Sequence, residues 1–363
     1  MFEEIPVNCA GCGLCAAVCP THAIEMRTDN EGFLIPEIDE LKCIKCDSCE
    51  NSCIVLHPNS KRNENTSVYA AFNLDDAVRL ESTSGGVFSL LAEDFLRRTH
   101  GIVVGAAYTD AFDVEHIAIS EVEDICKIRQ SKYIQSDMTQ IYHTLDKVRG
   151  QRAIMFAGTP CQVAAAARYT SGWKQEIIYI DFICRGVNSP LVFHKYLKNL
   201  ENQYNSKIIK VWFKNKEYGW NKFHTRIEFA NGEVYSADRY NDAFMRGFLK
   251  HNLYMRESCF DCKYKGVQRQ SDITLADFWG VHLSNPDADI EKGVSAVIVH
   301  SDTGRRLLAG VEDRLYLEEK QVSDVIKGNV CINESVIKKK DGIKFWKQLN
   351  DNNFVKLIKE MEE

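Results

Sequence analysis

Two stretches near the start decide the reading: Cys9-Ala10-Gly11-Cys12-Gly13-Leu14-Cys15-Ala16-Ala17-Val18-Cys19 and Cys43-Ile44-Lys45-Cys46-Asp47-Ser48-Cys49-Glu50-Asn51-Ser52-Cys53. Each spells C-x-x-C-x-x-C-x-x-x-C, a ligand run for 4Fe–4S clusters in which the fourth cysteine serves the other cluster. The spacing assigns Cys9, Cys12, Cys15 and Cys53 to one cluster, and Cys43, Cys46, Cys49 and Cys19 to a second. Ala10, Gly11, Gly13, Ala16 and Ala17 are small enough for the backbone to wrap closely. Structural zinc and disulfides also use paired cysteines, but eight cysteines in a duplicated register weigh against both. The chain is expected to move single electrons.

Working outward, Pro20 after Cys19 gives the C-P ending of bacterial-type ferredoxins, whereas Ile54 follows Cys53. Residues 1–60 read as a two-cluster 4Fe–4S ferredoxin domain. The polar stretch 57–67 reads as a linker. The segment 1–56 holds 3 Lys/Arg against 10 Asp/Glu, and the remainder 42 against 41, so the net charge of −6 belongs to the cluster-binding part. That acidity suits a basic one-electron partner. No basic stripe or reading motif points to nucleic acid.

The length of 363 residues predicts two or three domains, and a hydrophobic content of 45 % supplies full cores. No apolar run is long enough to span a membrane, and the start lacks the pattern of a signal peptide. Fourteen cysteines without an export signal point to a reducing, cytoplasmic setting and metal ligation. Oxygen-sensitive clusters suggest an anaerobic host.

Beyond residue 67 the periodicity predicts strands at 69–72, 101–108 and 114–120, with helices at 87–98 and 137–148. A β-α-β-α run follows, with strands at 153–156 and 177–182 and helices at 160–169 and 190–200. Strand-like pieces at 208–213 and 225–229 precede the hairpin signal Asn231-Gly232. A strand at 294–300 leads to a helical tail over 335–363. The fold class expected is α+β: the ferredoxin-like part followed by a mixed α/β domain.

Six cysteines lie beyond residue 60. Cys161 falls in the first turn of an expected helix, with Thr159 as N-cap and Pro160 as first residue. The helix dipole there should favour a thiolate. Cys184 follows an apolar strand, and Cys259 and Cys262 form a C-x-x-C pair. These four could hold a third cluster or zinc, or act as redox thiols. Cys126 and Cys331 stand alone and read as small hydrophobes.

Six segments in order carry a family resemblance: Ser82-Thr83-Ser84-Gly85-Gly86-Val87-Phe88, Ser131-Lys132-Tyr133-Ile134-Gln135-Ser136, Gly158-Thr159-Pro160-Cys161-Gln162, Cys184-Arg185-Gly186, Cys259-x-x-Cys262 and 272–280, DITLADFWG. The chain resembles the beta subunit of coenzyme F420 hydrogenase/dehydrogenase, with a ferredoxin domain fused in front. The resemblance divides the body into an N-terminal domain at 68–150 and a C-terminal domain at 151–325. Many members have histidine where this chain has Arg185.

The resemblance implies an FAD- and iron–sulfur-dependent oxidoreductase with Cys161, Cys184, Cys259 and Cys262 as cluster ligands. Electrons would pass between an external one-electron partner (a ferredoxin, or a dehydrogenase or hydrogenase subunit), the clusters, FAD and a small organic substrate, with coenzyme F420 a candidate. Ser84, Gly85, Gly86 and Val87 would meet the flavin pyrophosphate at a helix start. Tyr133 and Thr159 would complete the flavin site, and Lys132 would sit near the ring and stabilise its reduced anion. Arg129, Lys132, Arg168 and Arg185 would offer a basic pocket for a charged substrate tail. The alternative is an electron-transfer subunit of a larger complex with no substrate of its own.

Overall fold

The two cysteine runs fold into matching halves. Each half turns through a residue with left-handed backbone, Gly13 at φ 72° and Asp47 at φ 58°, into a one-turn helix, Leu14–Ala17 or Ser48–Asn51. Each of these helices carries the third cysteine of its run. Strands β1 (Ile24–Thr28) and β2 (Leu34–Ile38) pair antiparallel between the halves. Asp29 closes their turn, its carboxylate accepting from the Glu31 and Phe33 amides at 2.9 Å each. The computed structural model describes residues 6, 8–58, 66–339, 341–349 and 354–361. Most of the expected linker, residues 59–65, lies outside the described residues.

The body is built on β3 (Ser67–Asn73), β4 (Ile102–Tyr108), β5 (Val114–Ile119), β6 (Ser136–Asp137), β7 (Ile154–Gly158) and β8 (Ile177–Phe182). Next come β9 (Ile208–Asn215), β10 (His224–Phe229) and β11 (Val234–Asp238), a separate antiparallel sheet with its hairpin at Asn231-Gly232. Strands β12 (Ile273–Asp277), β13 (Ser295–Val299) and β14 (Leu315–Lys320) return to the main sheet. That sheet has nine strands in the order β14-β3-β13-β12-β8-β7-β4-β5-β6. Its centre, β12-β8-β7-β4, is parallel. Those strands are apolar on both faces because both faces are covered. On one face Val103 and Met155 meet Leu90, Leu91 and Phe95 of the helix Val87–Thr99. On the other, Val104, Ile154 and Phe156 meet Val163, Ala165 and Ala166 of the helix Pro160–Tyr169.

Two expectations about organisation change. Strands β3 to β6 precede residue 150, and β7, β8 and β12 to β14 follow it, so the segments 68–150 and 151–325 share one sheet. The ferredoxin-like part is not a detached module either. Leu14 and Ile54 are buried in the same core as Met138, Ile141 and Tyr142, because its two halves are too small to bury their apolar faces alone. The tail is two helices, Asp341–Gln348 and Phe354–Glu360, rather than one. Residues 340, 350–353 and 362–363 lie outside the described residues. Phe345, Leu349, Phe354 and Leu357 pack against Tyr196, Phe244 and Tyr254, as the apolar spacing predicts.

Candidate functional site

The cysteines of the first 53 residues gather in the two sets that the spacing assigns. Cys19, Cys43, Cys46 and Cys49 all line one small void. Cys46 is exposed. Its thiol is held below the usual range by the Ser48 hydroxyl at 3.3 Å. Burial pushes the Cys19 thiol up, but the Ala23 amide at 3.2 Å and Thr21 more than reverse it. The other set is deeper. Burial raises Cys12 well above an ordinary thiol and Cys15 to about 12, with Cys15 and Cys9 adding to the rise at Cys12, and Cys9 and Cys53 adding to it at Cys15. The outer set reaches solvent through Cys46 while its Cys49 is buried, and the inner set abuts the body.

The four later cysteines also converge. Cys161, Cys184, Cys259 and Cys262 line a void of about 50 Å³. Thr159 caps the helix Pro160–Tyr169 in a capping box with Gln162, and its hydroxyl lies 3.1 Å from the Cys161 sulfur. The Val187 amide donates to the Cys259 sulfur at 3.4 Å. The expectation that the helix start favours a Cys161 thiolate is overturned. Burial pushes that thiol up to about 11, and the Thr159 and Gln162 hydrogen bonds recover only part of it. Burial likewise raises Cys259 to about 12 and Cys184 well above the ordinary value. Buried sulfurs of this kind become thiolates only around a group that brings positive charge, which a cluster's iron does. Among the described residues no group of three or more His, Cys, Asp or Glu is placed to hold a metal ion. Cys12 and Cys161 lie within electrostatic reach of each other, so the inner set and the later set are neighbours.

Beside them opens a cavity of about 510 Å³. Cys161, Cys184 and Thr159 form part of its wall, and Ser84, Gly86, Val87, Lys132 and Tyr133 another part. The helix Val87–Thr99 starts at Gly86, φ 79°, with no side chain capping it, leaving first-turn amides for an acceptor. Gly85 plays a different part from that expected. A Cβ there would come within 2.5 Å of the Ala71 carbonyl oxygen and 2.8 Å of the Ser295 nitrogen, so it lets the loop lie against β3 and β13. Lys132 donates to the carbonyls of Arg129 at 2.6 Å and Lys127 at 3.2 Å. With no carboxylate beside it among the described residues, burial lowers its ammonium to about 7.

Of the basic residues expected at a substrate tail, Arg129 and Arg185 join Lys132 in the cavity wall. Arg168 does not. It donates to the carbonyls of Ser52, Cys53 and His57 and fastens the N-terminal segment to the body. The sequence reading missed Lys214, Asp277 and Trp279, which also line the cavity. Lys214 is ion-paired to Asp277, which accepts from the Trp220 indole at 2.9 Å. Trp220 stacks on Trp279 at 4.5 Å. The motif at 272–280 carried that signal, but its aromatic pair is as common in a core as in a ligand wall. Cys331, read as an inert hydrophobe, lines the cavity too, 3.8 Å from Arg185.

Fold and site together define an iron–sulfur electron-transfer protein of the oxidoreductase type, with a 4Fe–4S dicluster domain built into an α/β body. Residues 8–55 match the 4Fe-4S dicluster domain. Residues 151–325 match the family described as the C terminus of the beta subunit of coenzyme F420 hydrogenase/dehydrogenase. The F(420)H(2) dehydrogenase component designated F in Methanosarcina mazei is 24 % identical over 326 residues, spanning 86 % of this chain and 84 % of the relative. A solved F420-reducing [NiFe] hydrogenase complex from Methanosarcina barkeri aligns over 83 % of this chain and 91 % of its own, at 15 % identity and TM-score 0.49. That likeness is too loose to bear on function. Among the described residues no helix is long and apolar enough to cross a membrane.

Proposed function

We propose that this protein is a flavin-dependent oxidoreductase that exchanges electrons between a one-electron partner and a small organic substrate. The observation that carries the reading is the shared wall of the cavity. One side holds Cys161 and Cys184 of the later cysteine set, and another the uncapped helix start at Gly86 with Lys132. A site for a cluster thus adjoins a site for an anionic, planar cofactor. The chemistry of the donors supports a third 4Fe–4S cluster on Cys161, Cys184, Cys259 and Cys262. FAD, when bound, would supply the exchange between two-electron and one-electron chemistry.

The chain's own residues fit these roles. The Val87 and Phe88 amides offer donors to a pyrophosphate, and the left-handed turn at Gly86 lets the backbone approach it. Lys132 is poised to neutralise negative charge in the cavity, because among the described residues its ammonium has carbonyl partners but no carboxylate. Tyr133 closes the wall, held by the Asn188 side-chain amide at 2.8 Å from its carbonyl. Arg129 and Arg185 suit an acidic substrate tail, and the family makes coenzyme F420 the first substrate to test. Cys46, the exposed member of the outer set, is where a one-electron partner would reach the chain.

Anaerobically purified protein, titrated with flavin and then with a panel of two-electron acceptors that includes F420, tests the reading. The expected result is one FAD per chain, whose absorbance is bleached by a one-electron reductant and restored by one acceptor class. A preparation that takes up no FAD, yet exchanges electrons with one-electron proteins, would favour the relay role within a larger complex.

A further inference from the structure

The inner ferredoxin-type set and the later cysteine set are bridged by one buried cation. Arg256 is 5 % exposed and lies three residues before Cys259. Its Nε donates to the Cys9 carbonyl at 2.7 Å, and its Nη2 to the Leu34 carbonyl at 2.9 Å. Among the described residues its Nη1 is buried without a hydrogen-bond partner. A Cβ on Gly11 would lie 2.6 Å from that Nη1, so the guanidinium is wedged against the loop between Cys9 and Cys12. Gln135 completes the bracket, accepting from the Leu34 amide at 2.8 Å and donating to the Gly11 carbonyl at 3.4 Å.

Two carbonyl contacts would satisfy a structural role, and a neutral side chain could make them. A full positive charge in such a place needs another reason, because burying it is costly without an anion nearby. The charge reaches the later set as well. The Arg256 carbonyl accepts from the Cys259 amide at 2.9 Å, and Cys161 and Cys259 both lie within electrostatic reach of its side chain. The guanidinium thus touches the loop that holds the inner set and lies within reach of the later one.

We infer that Arg256 is a positioning residue for electron passage between the sets Cys9/Cys12/Cys15/Cys53 and Cys161/Cys184/Cys259/Cys262, its fixed charge favouring the reduced state of both. The inference rests on the proposed third cluster for its second half only. When one electron passes, the donor set is oxidised and the acceptor set gains a unit of negative charge. A guanidinium close to both offsets that charge on either side, which levels the path. No proton need move, since arginine stays protonated.

Arg256→Lys and Arg256→Gln separate charge from bracing, because both lose the fork and only the second loses the charge. Reductive titration of each loaded protein, followed by electron paramagnetic resonance, reads the potentials directly. The expected result is a wild-type-like potential in the Lys form. In the Gln form, the reduced-to-oxidised ratio at fixed poise should drop about tenfold, which is about 59 mV for one electron. Loss of iron in the Gln form alone also supports a need for the charge. Equal potentials in the two variants overturn the inference, as does loss of iron in both, which would make Arg256 a brace of the fold. Wild-type iron near eight per chain would instead sink the third cluster, and the comparison would then be read on the inner ferredoxin-type set.

Discussion

The Tyr142 hydroxyl donates to the Cys12 carbonyl at 2.9 Å, tying a helix of the body to the loop that holds the inner ferredoxin-type set. Around it Leu14 and Ile54 share a core with Met138, Ile141 and Val163. Removing residues 1–58 would uncover that apolar face, so the remainder is expected to be insoluble or to lose its cooperative unfolding transition. Tyr142→Phe removes only the hydroxyl. It should cost about 0.5–1.5 kcal/mol, the net value of one hydrogen bond, measured by urea unfolding of the loaded protein.

What the sequence made legible follows from the range of each signal. The cysteine runs are local, and the two sets gather as their spacing assigns. The parallel strands β7 and β8 and the capped helix at Thr159 are also local patterns, read from apolar runs and from Thr-Pro at a helix start. Strand β6 was missed because Ser136–Asp137 is only two residues long, and β14 because at the sheet edge it buries only Leu315 of LYLEEK. The single sheet spanning residues 67–320 was missed because β3 pairs with β13 and β14 across more than two hundred residues, and no local pattern encodes such a pairing. The part played by Arg168 was misread for the same reason. A basic residue beside an alanine-rich helix looks like a ligand contact until the carbonyls it reaches are known.

Metal content follows from the three cysteine sets. Anaerobic wild-type protein should carry about twelve iron and twelve sulfide per chain. Cys259→Ala removes one sulfur of the later set and should bring iron to about eight, without touching the signal of the dicluster domain. Iron that stays at the wild-type level would mean that Cys259 is not a ligand. Stoichiometric zinc in place of one cluster's iron would reassign the set.

Stability should depend on pH in a direction set by Lys132. Burial lowers its folded pKa to about 7, from an ordinary value of 10.5. Between those values the unfolded chain binds a proton that the folded chain does not. Stability therefore rises with pH across that window, by up to about 1.4 kcal/mol per pH unit for one proton. Lys216 is also buried, and burial lowers it to about 7, so it adds to the same slope. Lys132→Met should reduce the slope by about one proton in flavin-free protein, measured by urea unfolding at about pH 7.5 and 9. An unchanged slope would show that Lys132 keeps its proton in the fold.

The helix start at Gly86 needs a test that respects its backbone. Its φ of 79° is left-handed, and a Cβ there would lie 3.2 Å from the Arg79 Cα and 3.3 Å from the Asn73 Cβ. Gly86→Ala should therefore cost about 1–2 kcal/mol through strain alone, and any loss of flavin in it would be ambiguous. Phe88 lies in the first turn, half-buried in the cavity wall. Phe88→Asp places a carboxylate where an acidic residue suits a helix N-terminus, so the fold should tolerate it while an anionic cofactor is repelled. The expected outcome is retained iron, a folded protein by circular dichroism, and FAD affinity weaker by about tenfold or more in a fluorescence titration, the effect of about 1.4 kcal/mol. FAD binding that survives Phe88→Asp unchanged would move the pyrophosphate away from this helix and leave Gly86 as a capping turn.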